Sequence, residues 1–92
     1  MWIFKKAPSV TWQEINKNSN IIDVREKNEY RQIKGYKTKN IPLSQIDDYQ
    51  DSGKVYCLCA SGARSKMAVK KLRSKGIDAY NIKGGMMSYG RE

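Results

Sequence analysis

The fold is decided by residues 54–72, which read KVYCLCASGARSKMAVKKL. An apolar and aromatic run ends at Cys59, four small residues and Arg64 follow, and apolar residues then recur at helical spacing. This pattern predicts a strand, a tight turn and the N-terminus of a helix, with a thiol at the end of the strand. In open α/β sheets, ligands bind at that edge.

The position of Cys59 predicts a reactive thiol. Amide groups at the start of a helix lack partners and attract anions, so they lower the pKa of a nearby thiol, and Arg64 lowers it further. The alternative is a small buried cysteine that only packs, as free cysteines commonly do. Four small residues allow the backbone to curl around an atom bound to the sulfur: Ala60, Ser61, Gly62 and Ala63.

Length and charge limit the classes of protein to which the chain can belong. Ninety-two residues suit one domain with one modest core. The chain has 18 Lys and Arg against 9 Asp and Glu, a net charge of +9. Such a balance favours anionic partners, but a lysine-rich solvated surface is the preferred explanation. Basic residues form neither a long block nor a stripe interleaved with aromatics, so nucleic-acid binding is not predicted.

The cysteine and histidine content limits the chemistry that the chain can perform. Cys57 and Cys59 fall on the same side of one strand and are too close along the chain for an unstrained disulfide, which indicates a reducing compartment and predicts a cytoplasmic protein. The chain has no histidine, which excludes a Cys-His pair and a histidine-ligated metal site. We therefore expect no metal and no cofactor.

The N-terminus is predicted to be an arm, residues 1–8, followed by a single domain over residues 9–92. The arm is apolar and basic, and its apolar run is too short for a signal peptide or a membrane-spanning helix. We therefore expect no membrane span.

Local patterns predict five strands and four short helices. The strands are expected at 9–10, 21–25, 40–43, 54–58 and 78–82. The helices are expected at 12–17, 26–32, 44–49 and 65–75. Thr11 and Glu14 form a capping box, and the β-branched pair at 21–22 suits a strand buried on both faces. The buried stripe of the last helix is predicted to comprise Met67, Ala68, Val69 and Leu72.

The series Cys59, four residues, Arg64 and Ser65 resembles the active-site loop of the rhodanese-like sulfurtransferases. Three further segments resemble motifs of that family in the same order: DVR at 23–25, NIP at 40–42 and GGM at 84–86. The resemblance covers residues 9–89. It implies an α/β fold with a central, mostly parallel five-stranded sheet and helices on both faces. The chain departs from the family at 33–39, where a motif histidine is absent, and has Tyr89 where a tryptophan is common.

The resemblance also implies a function. Cys59 is expected to take a sulfane sulfur from thiosulfate or a persulfide donor and pass it to cyanide, a small thiol or a protein cysteine. The loop amides from Ala60 to Ser65 and the Arg64 guanidinium are expected to bind the anionic donor. The hydroxyls of Ser61 and Ser65 either add hydrogen bonds or serve as turn former and helix N-cap. Asp23 and Arg25 are expected to brace neighbouring loops.

Two other functions remain open at this point. One is a module that carries a persulfide or binds a partner without turning over thiosulfate. The other is a Cdc25-like phosphatase or arsenate reductase, whose loop has five residues between cysteine and arginine, against four here counted from Cys59 and six counted from Cys57.

Overall fold

The computed structural model describes residues 7–32 and 37–89. It contains five strands: β1 (Ser9–Val10), β2 (Ile21–Asp23), β3 (Lys39–Asn40), β4 (Val55–Leu58) and β5 (Ala79–Ile82). They form one sheet in the order β1-β5-β4-β2-β3, and every neighbouring pair is parallel. The predicted five-stranded α/β architecture is therefore confirmed.

Helical segments cover both faces of this sheet. There are two α-helices, α1 (Lys27–Gln32) and α2 (Ala63–Ser74), and three 3-10 helices, Trp12–Glu14, Leu43–Asp48 and Gly85–Ser88. One core cluster joins α2 and the second 3-10 helix to one face of the sheet, and a second cluster joins Trp12 and Met86 to the other face. Burial on both faces explains why β2, β4 and β5 are largely apolar.

The parallel topology brings the predicted motifs together. β2, β4 and β5 are neighbours, and their carboxyl ends lie at the same edge of the sheet. Cys59 follows β4 directly, Asp23 ends β2, and Gly84 and Gly85 follow β5. This edge is where open α/β sheets bind ligands.

The helix predicted at residues 12–17 is shorter in the structure. It ends at Glu14, and not near residue 17, because side chains of the next segment bind the backbone and compete with the helix: Ser19 Oγ accepts from the Asn16 amide at 3.0 Å, and Asn16 Oδ1 accepts from the Asn18 amide at 2.8 Å. The predicted capping box is present, with Glu14 Oε2 accepting from the Thr11 amide at 3.0 Å.

Two strands also differ from their predicted bounds by more than one residue. β2 stops at Asp23, and not at Arg25, because Asp23 Oδ1 accepts from the Arg25 amide at 3.0 Å and turns the chain. β3 occupies Lys39–Asn40, and not residues 40–43, because Pro42, which has no amide hydrogen, precedes the 3-10 helix that starts at Leu43.

The predicted start of α2 and one member of its stripe are wrong. The helix begins at Ala63, two residues earlier than expected, and Met67 is 53% exposed. The fully buried positions are 65, 68, 69 and 72, spaced as one face of a helix, so Ser65 occupies the place on the stripe that Met67 was expected to fill.

Several predictions fall on residues that the structure does not describe. Residues 1–6 of the arm and 33–36 of the altered loop lie outside the described ranges. Ala7 is described and packs into the core, and the Pro8 carbonyl accepts from the Asn81 amide at 2.8 Å. Within residues 7–32 and 37–89, no helix is long and apolar enough to cross a membrane.

Candidate active site

The site is built around Cys59, which is 1% exposed. Cys57 and Cys59 belong to the same core cluster, and both are free thiols. Burial, together with a smaller contribution from the neighbouring Cys59 charge, raises the pKa of Cys57 to about 12. Cys57 is therefore held as a neutral thiol.

Hydrogen bonds converge on the sulfur of Cys59. The Gly62 amide donates to Sγ at 3.0 Å and the Ser65 amide at 3.4 Å, and the Ser65 hydroxyl lies 3.3 Å from Sγ. Burial by itself raises the pKa of the thiol, but the Ser65 hydroxyl and the amides of Ser65, Gly62 and Arg64 outweigh it and leave the pKa of Cys59 below its ordinary value. The arrangement stabilises a thiolate.

The backbone at Gly62 permits this convergence. Gly62 is the residue before α2 and has a φ of 111°, a conformation that side chains with a Cβ rarely adopt. One of the two roles predicted for Ser65, that of helix N-cap, is therefore wrong, because Gly62 takes that position. Ser65 lies in the first turn of α2, with its hydroxyl beside the sulfur.

The loop is fixed from outside by the segment after β5. The Met86 amide donates to the Cys59 carbonyl at 2.9 Å, and the Met87 amide donates to the Ala60 carbonyl at 3.0 Å. A Cβ on Gly85 would lie 2.6 Å from the Ala60 carbonyl oxygen, so only glycine permits this approach. Both carbonyls are thus tied to the segment after β5, which holds the start of the loop in place.

Arg64 lies beside the loop but is engaged by Glu29 of α1. Its Nη1 and Nη2 donate to the two carboxylate oxygens at 2.5 and 2.9 Å. The hydrogen bonds from Arg64 lower the pKa of Glu29 to about 2, and Glu29 in turn raises the pKa of Arg64. Both side chains are partly exposed, so the pair stands at the mouth of the site.

Asp23 and Arg25 form a buried ion pair at the end of β2. Arg25 Nη2 lies 2.8 Å from Asp23 Oδ2, and both residues are less than 5% exposed. Asn40 Nδ2 donates to the carbonyls of Asp23 and Arg25 at 2.9 Å each, which ties β3 to the same turn. These contacts hold neighbouring segments together.

The remaining predicted residues belong to the loop but form no hydrogen bond to the sulfur. Ser61 and Ala63 are exposed, and Ala60 is half-buried. In the part of the chain that the structure describes, their amides make no hydrogen bond to Sγ. Three of the seven predicted loop residues, Cys59, Gly62 and Ser65, thus form the innermost contacts.

Besides Glu29, two residues of the site are absent from the sequence prediction. Asn81 of β5 is fully buried, and its Oδ1 accepts a short hydrogen bond from the Ser65 hydroxyl. The signal available was an amide side chain inside a predicted strand, between the aromatic residue at 80 and the apolar residue at 82. Trp12 Nε1 donates to the Gly85 carbonyl at 2.9 Å and thereby supports the segment that fixes the loop.

Candidate metal ligands are not clustered in the part of the chain that the structure describes. Within residues 7–32 and 37–89 there is no group of three or more histidine, cysteine, aspartate or glutamate side chains that could hold one. The chemistry that the arrangement supports is that of a stabilised thiolate.

Comparisons with known proteins extend this description. Over 79 residues the chain is 35% identical to the uncharacterized protein YqhL of Bacillus subtilis (strain 168), covering 80% of this chain and 63% of YqhL. Over 77 residues it is 32% identical to the adenylyltransferase and sulfurtransferase UBA4 of Yarrowia lipolytica, covering 77% of this chain and 19% of UBA4. The chain thus spans less than two thirds of either relative.

A solved structure and a family model agree with these matches. The crystal structure of a rhodanese-like domain protein from Staphylococcus aureus superposes with a TM-score of 0.75 at 34% identity, covering 90% of this chain and 91% of that one. The family model described as rhodanese-like domain matches residues 7–92. This chain is therefore a member of the rhodanese-like domain family.

Proposed function

We propose that the protein is a sulfurtransferase that moves a sulfane sulfur through a persulfide on Cys59. The observation that carries this proposal is the convergence of the Gly62 amide, the Ser65 amide and the Ser65 hydroxyl on one sulfur atom. Family membership and the sulfurtransferase among its relatives also support it.

The reaction has two steps. The Cys59 thiolate attacks the outer sulfur of thiosulfate, the S–S bond of thiosulfate breaks, and sulfite leaves with the bonding electrons. A nucleophile such as cyanide or a thiolate then attacks the outer sulfur of the Cys59 persulfide, and Cys59 leaves as a thiolate. In both steps negative charge builds up on sulfur beside the loop, where pre-aligned donors stabilise it.

Arg64 and the loop amides are proposed to attract the anionic donor. The high positive charge of the chain adds to this attraction. Ala60, Ser61 and Ala63 are proposed to shape the entrance, since their side chains are small and none of the three residues is fully buried.

A second candidate function is a persulfide carrier that receives its sulfur from a protein or a small persulfide. The observation that favours it is the ion pair between Arg64 and Glu29, which occupies the guanidinium in a two-point contact. An arginine held in this way is less available to thiosulfate.

A mass measurement tests both candidates. The purified protein is incubated with thiosulfate or with glutathione persulfide, freed of reagent and weighed intact. We expect thiosulfate to add one sulfur atom that cyanide removes, and we expect the Cys57→Ser variant, but not Cys59→Ser, to gain the same atom. Loading by glutathione persulfide alone would establish the carrier, and loading by neither reagent would overturn the proposal.

A further inference from the structure

A continuous chain of hydrogen bonds runs from the Cys59 sulfur to the surface at Ser9. Sγ lies 3.3 Å from Ser65 Oγ, the Ser65 hydroxyl donates to Asn81 Oδ1, and Asn81 Nδ2 donates to Ser9 Oγ at 3.0 Å. Ser65 and Asn81 are fully buried, whereas Ser9 is exposed. The proposed reaction assigns no part to Asn81 or Ser9.

The Ser65 hydroxyl cannot donate to all the acceptors around it. Its hydroxyl has one proton, and in the structure two oxygens compete for it, Asn81 Oδ1 and the Gly62 carbonyl at 3.0 Å. While that proton is so engaged, Ser65 accepts from the Cys59 thiol and donates nothing to the sulfur. Two amides already donate to the sulfur, and for the Ser65 hydroxyl to add to their stabilisation of a thiolate, it must turn its proton towards the sulfur.

Turning that proton leaves an oxygen of Asn81 facing an oxygen of Ser65. Two buried acceptors in contact without a proton between them are costly. The Gly62 carbonyl is not left without a donor, because the Lys66 amide also donates to it at 3.1 Å. The conflict is therefore confined to Asn81.

We propose that Asn81 is a positioning residue for Cys59 whose carboxamide reverses when the thiol loses its proton. After reversal, Asn81 Nδ2 donates to Ser65 Oγ, Ser65 donates to the sulfur, and Ser9 donates to Asn81 Oδ1. Ser9 gives up only its 3.3 Å hydrogen bond to the Ala7 carbonyl. The thiol proton passes to solvent, and no other covalent bond changes.

The neighbouring charged groups are fixed by other contacts. Cys57 and Arg64 interact electrostatically with Cys59, and Asp23 and Glu29 interact with Arg64. On the outer side, Ser9 borders a concavity of about 640 Å³ that Lys66, Lys70 and Lys83 also line. The reversal therefore responds to Cys59, the titratable group in direct contact with the Ser65 hydroxyl.

The inference rests on Cys59 being the proposed nucleophile, but its test does not measure sulfur transfer. In the isotope-labelled full chain, nuclear Overhauser contacts of the Asn81 side-chain amide protons are recorded at about pH 5 and about pH 9, on either side of the reference thiol pKa of about 8.5. We expect contacts to the Ser9 β-protons at the lower pH and to the Ser65 β-protons at the higher pH. The same contacts at both pH values would overturn the proposal.

Two variants sharpen the test. The Cys59→Ser variant cannot ionise in this range, so its Asn81 contacts should stay with Ser9 at both pH values, and a reversal there would count against the proposal. Asn81→Asp supplies only acceptors when ionised, so it should slow Cys59 alkylation at about neutral pH by about tenfold. In the Ser65→Ala background this effect should shrink, and an equal effect in both backgrounds would show that charge alone acts.

Discussion

Cys57 and Cys59 are separated by one residue, lie in the same core cluster and are both almost inaccessible to solvent, yet their thiols are affected in opposite directions. The pKa of Cys57 rises to about 12, chiefly through burial, and that of Cys59 falls. The difference is the supply of hydrogen-bond donors, because Cys57 lies within β4 whereas Cys59 precedes the turn into α2. Burial without donors makes a cysteine inert, and burial with donors makes it a nucleophile.

Removing each thiol in turn is the strongest test of this contrast. We expect Cys59→Ser to lower the rate of cyanide-dependent sulfur transfer by about a thousandfold or more, since the nucleophile is lost. Cys57→Ser should leave most of the rate. The measurement is thiocyanate formation from thiosulfate and cyanide, with circular dichroism to verify folding. An inactive but folded Cys57→Ser variant beside an active Cys59→Ser variant would reverse the assignment.

Lengthening the loop should separate sulfur transfer from phosphate chemistry. A glycine inserted after Ala63 displaces Arg64 and Ser65 from Cys59, and losing one aligned donor typically costs about a hundredfold in rate. We expect the insertion to cut sulfur transfer by that order. The unmodified protein should hydrolyse aryl phosphates no faster than Cys59→Ser does, and clear Cys59-dependent phosphatase activity in it would contradict the limit set by loop length.

Gly85→Ala should disturb Cys59 from outside the loop. The added Cβ meets the carbonyl oxygens of Cys59 and Ala60, and a φ of 61° at this position adds strain of about 1–3 kcal/mol. We expect sulfur transfer to fall about tenfold as the loop amides lose alignment. Gly53→Ala is the matched control, because its new Cβ meets nothing closer than an ordinary 3.7 Å contact with Asp51. Equal effects of the two substitutions would remove the bracing role of Gly85.

The pH dependence of alkylation measures the contrast directly. The thiolate is the reacting form, and a lowered pKa means that Cys59 is already ionised where an ordinary thiol is still protonated. The rate of reaction with iodoacetamide should therefore rise with pH to a midpoint below the reference value of about 8.5. Cys57 should stay unmodified in the folded protein. A midpoint at or above the reference would contradict stabilisation by the loop.

The smallest expected effect concerns Arg64. Glu29→Gln removes the carboxylate that engages the guanidinium, so the KM for thiosulfate should fall by about twofold to threefold, as suits a partly exposed ion pair. Glu26→Gln is the control, since it removes the same charge from an exposed residue near α1 that is not paired with Arg64. An unchanged KM in Glu29→Gln would favour a donor that does not use Arg64.

Local sequence was enough to predict the strands and the turn after Cys59, and the family resemblance supplied their arrangement in one parallel sheet. The apolar run before Cys59 and the small residues after it specify strand, turn and helix start within a few positions, which is why β4 and the loop were predicted correctly. The exposure of Met67 was not, because the predicted stripe followed apolar character alone. At about 3.6 residues per turn Met67 lies off the face that Ala68 and Leu72 share, and the polar Ser65 lies on it.

The contacts that sequence could not supply join residues distant along the chain. Glu29 is 35 residues from Arg64, and Asn81 is 16 residues from Ser65. Glutamate and asparagine can form hydrogen bonds in many local structures. Only the packing of α1 and β5 beside the loop places them next to Arg64 and Ser65. Pairwise geometry of this kind has no local pattern that would reveal it.

The two outer strands of the sheet bear on how this protein meets other molecules. β1 and β3 each comprise two residues, so the described sheet ends on both sides with very little unpaired backbone. A second copy or an extended peptide finds almost no template for strand addition there, which protects a concentrated solution from edge-to-edge aggregation. Partners must instead approach through side-chain surfaces, and their recognition will depend on shape and charge more than on backbone pairing.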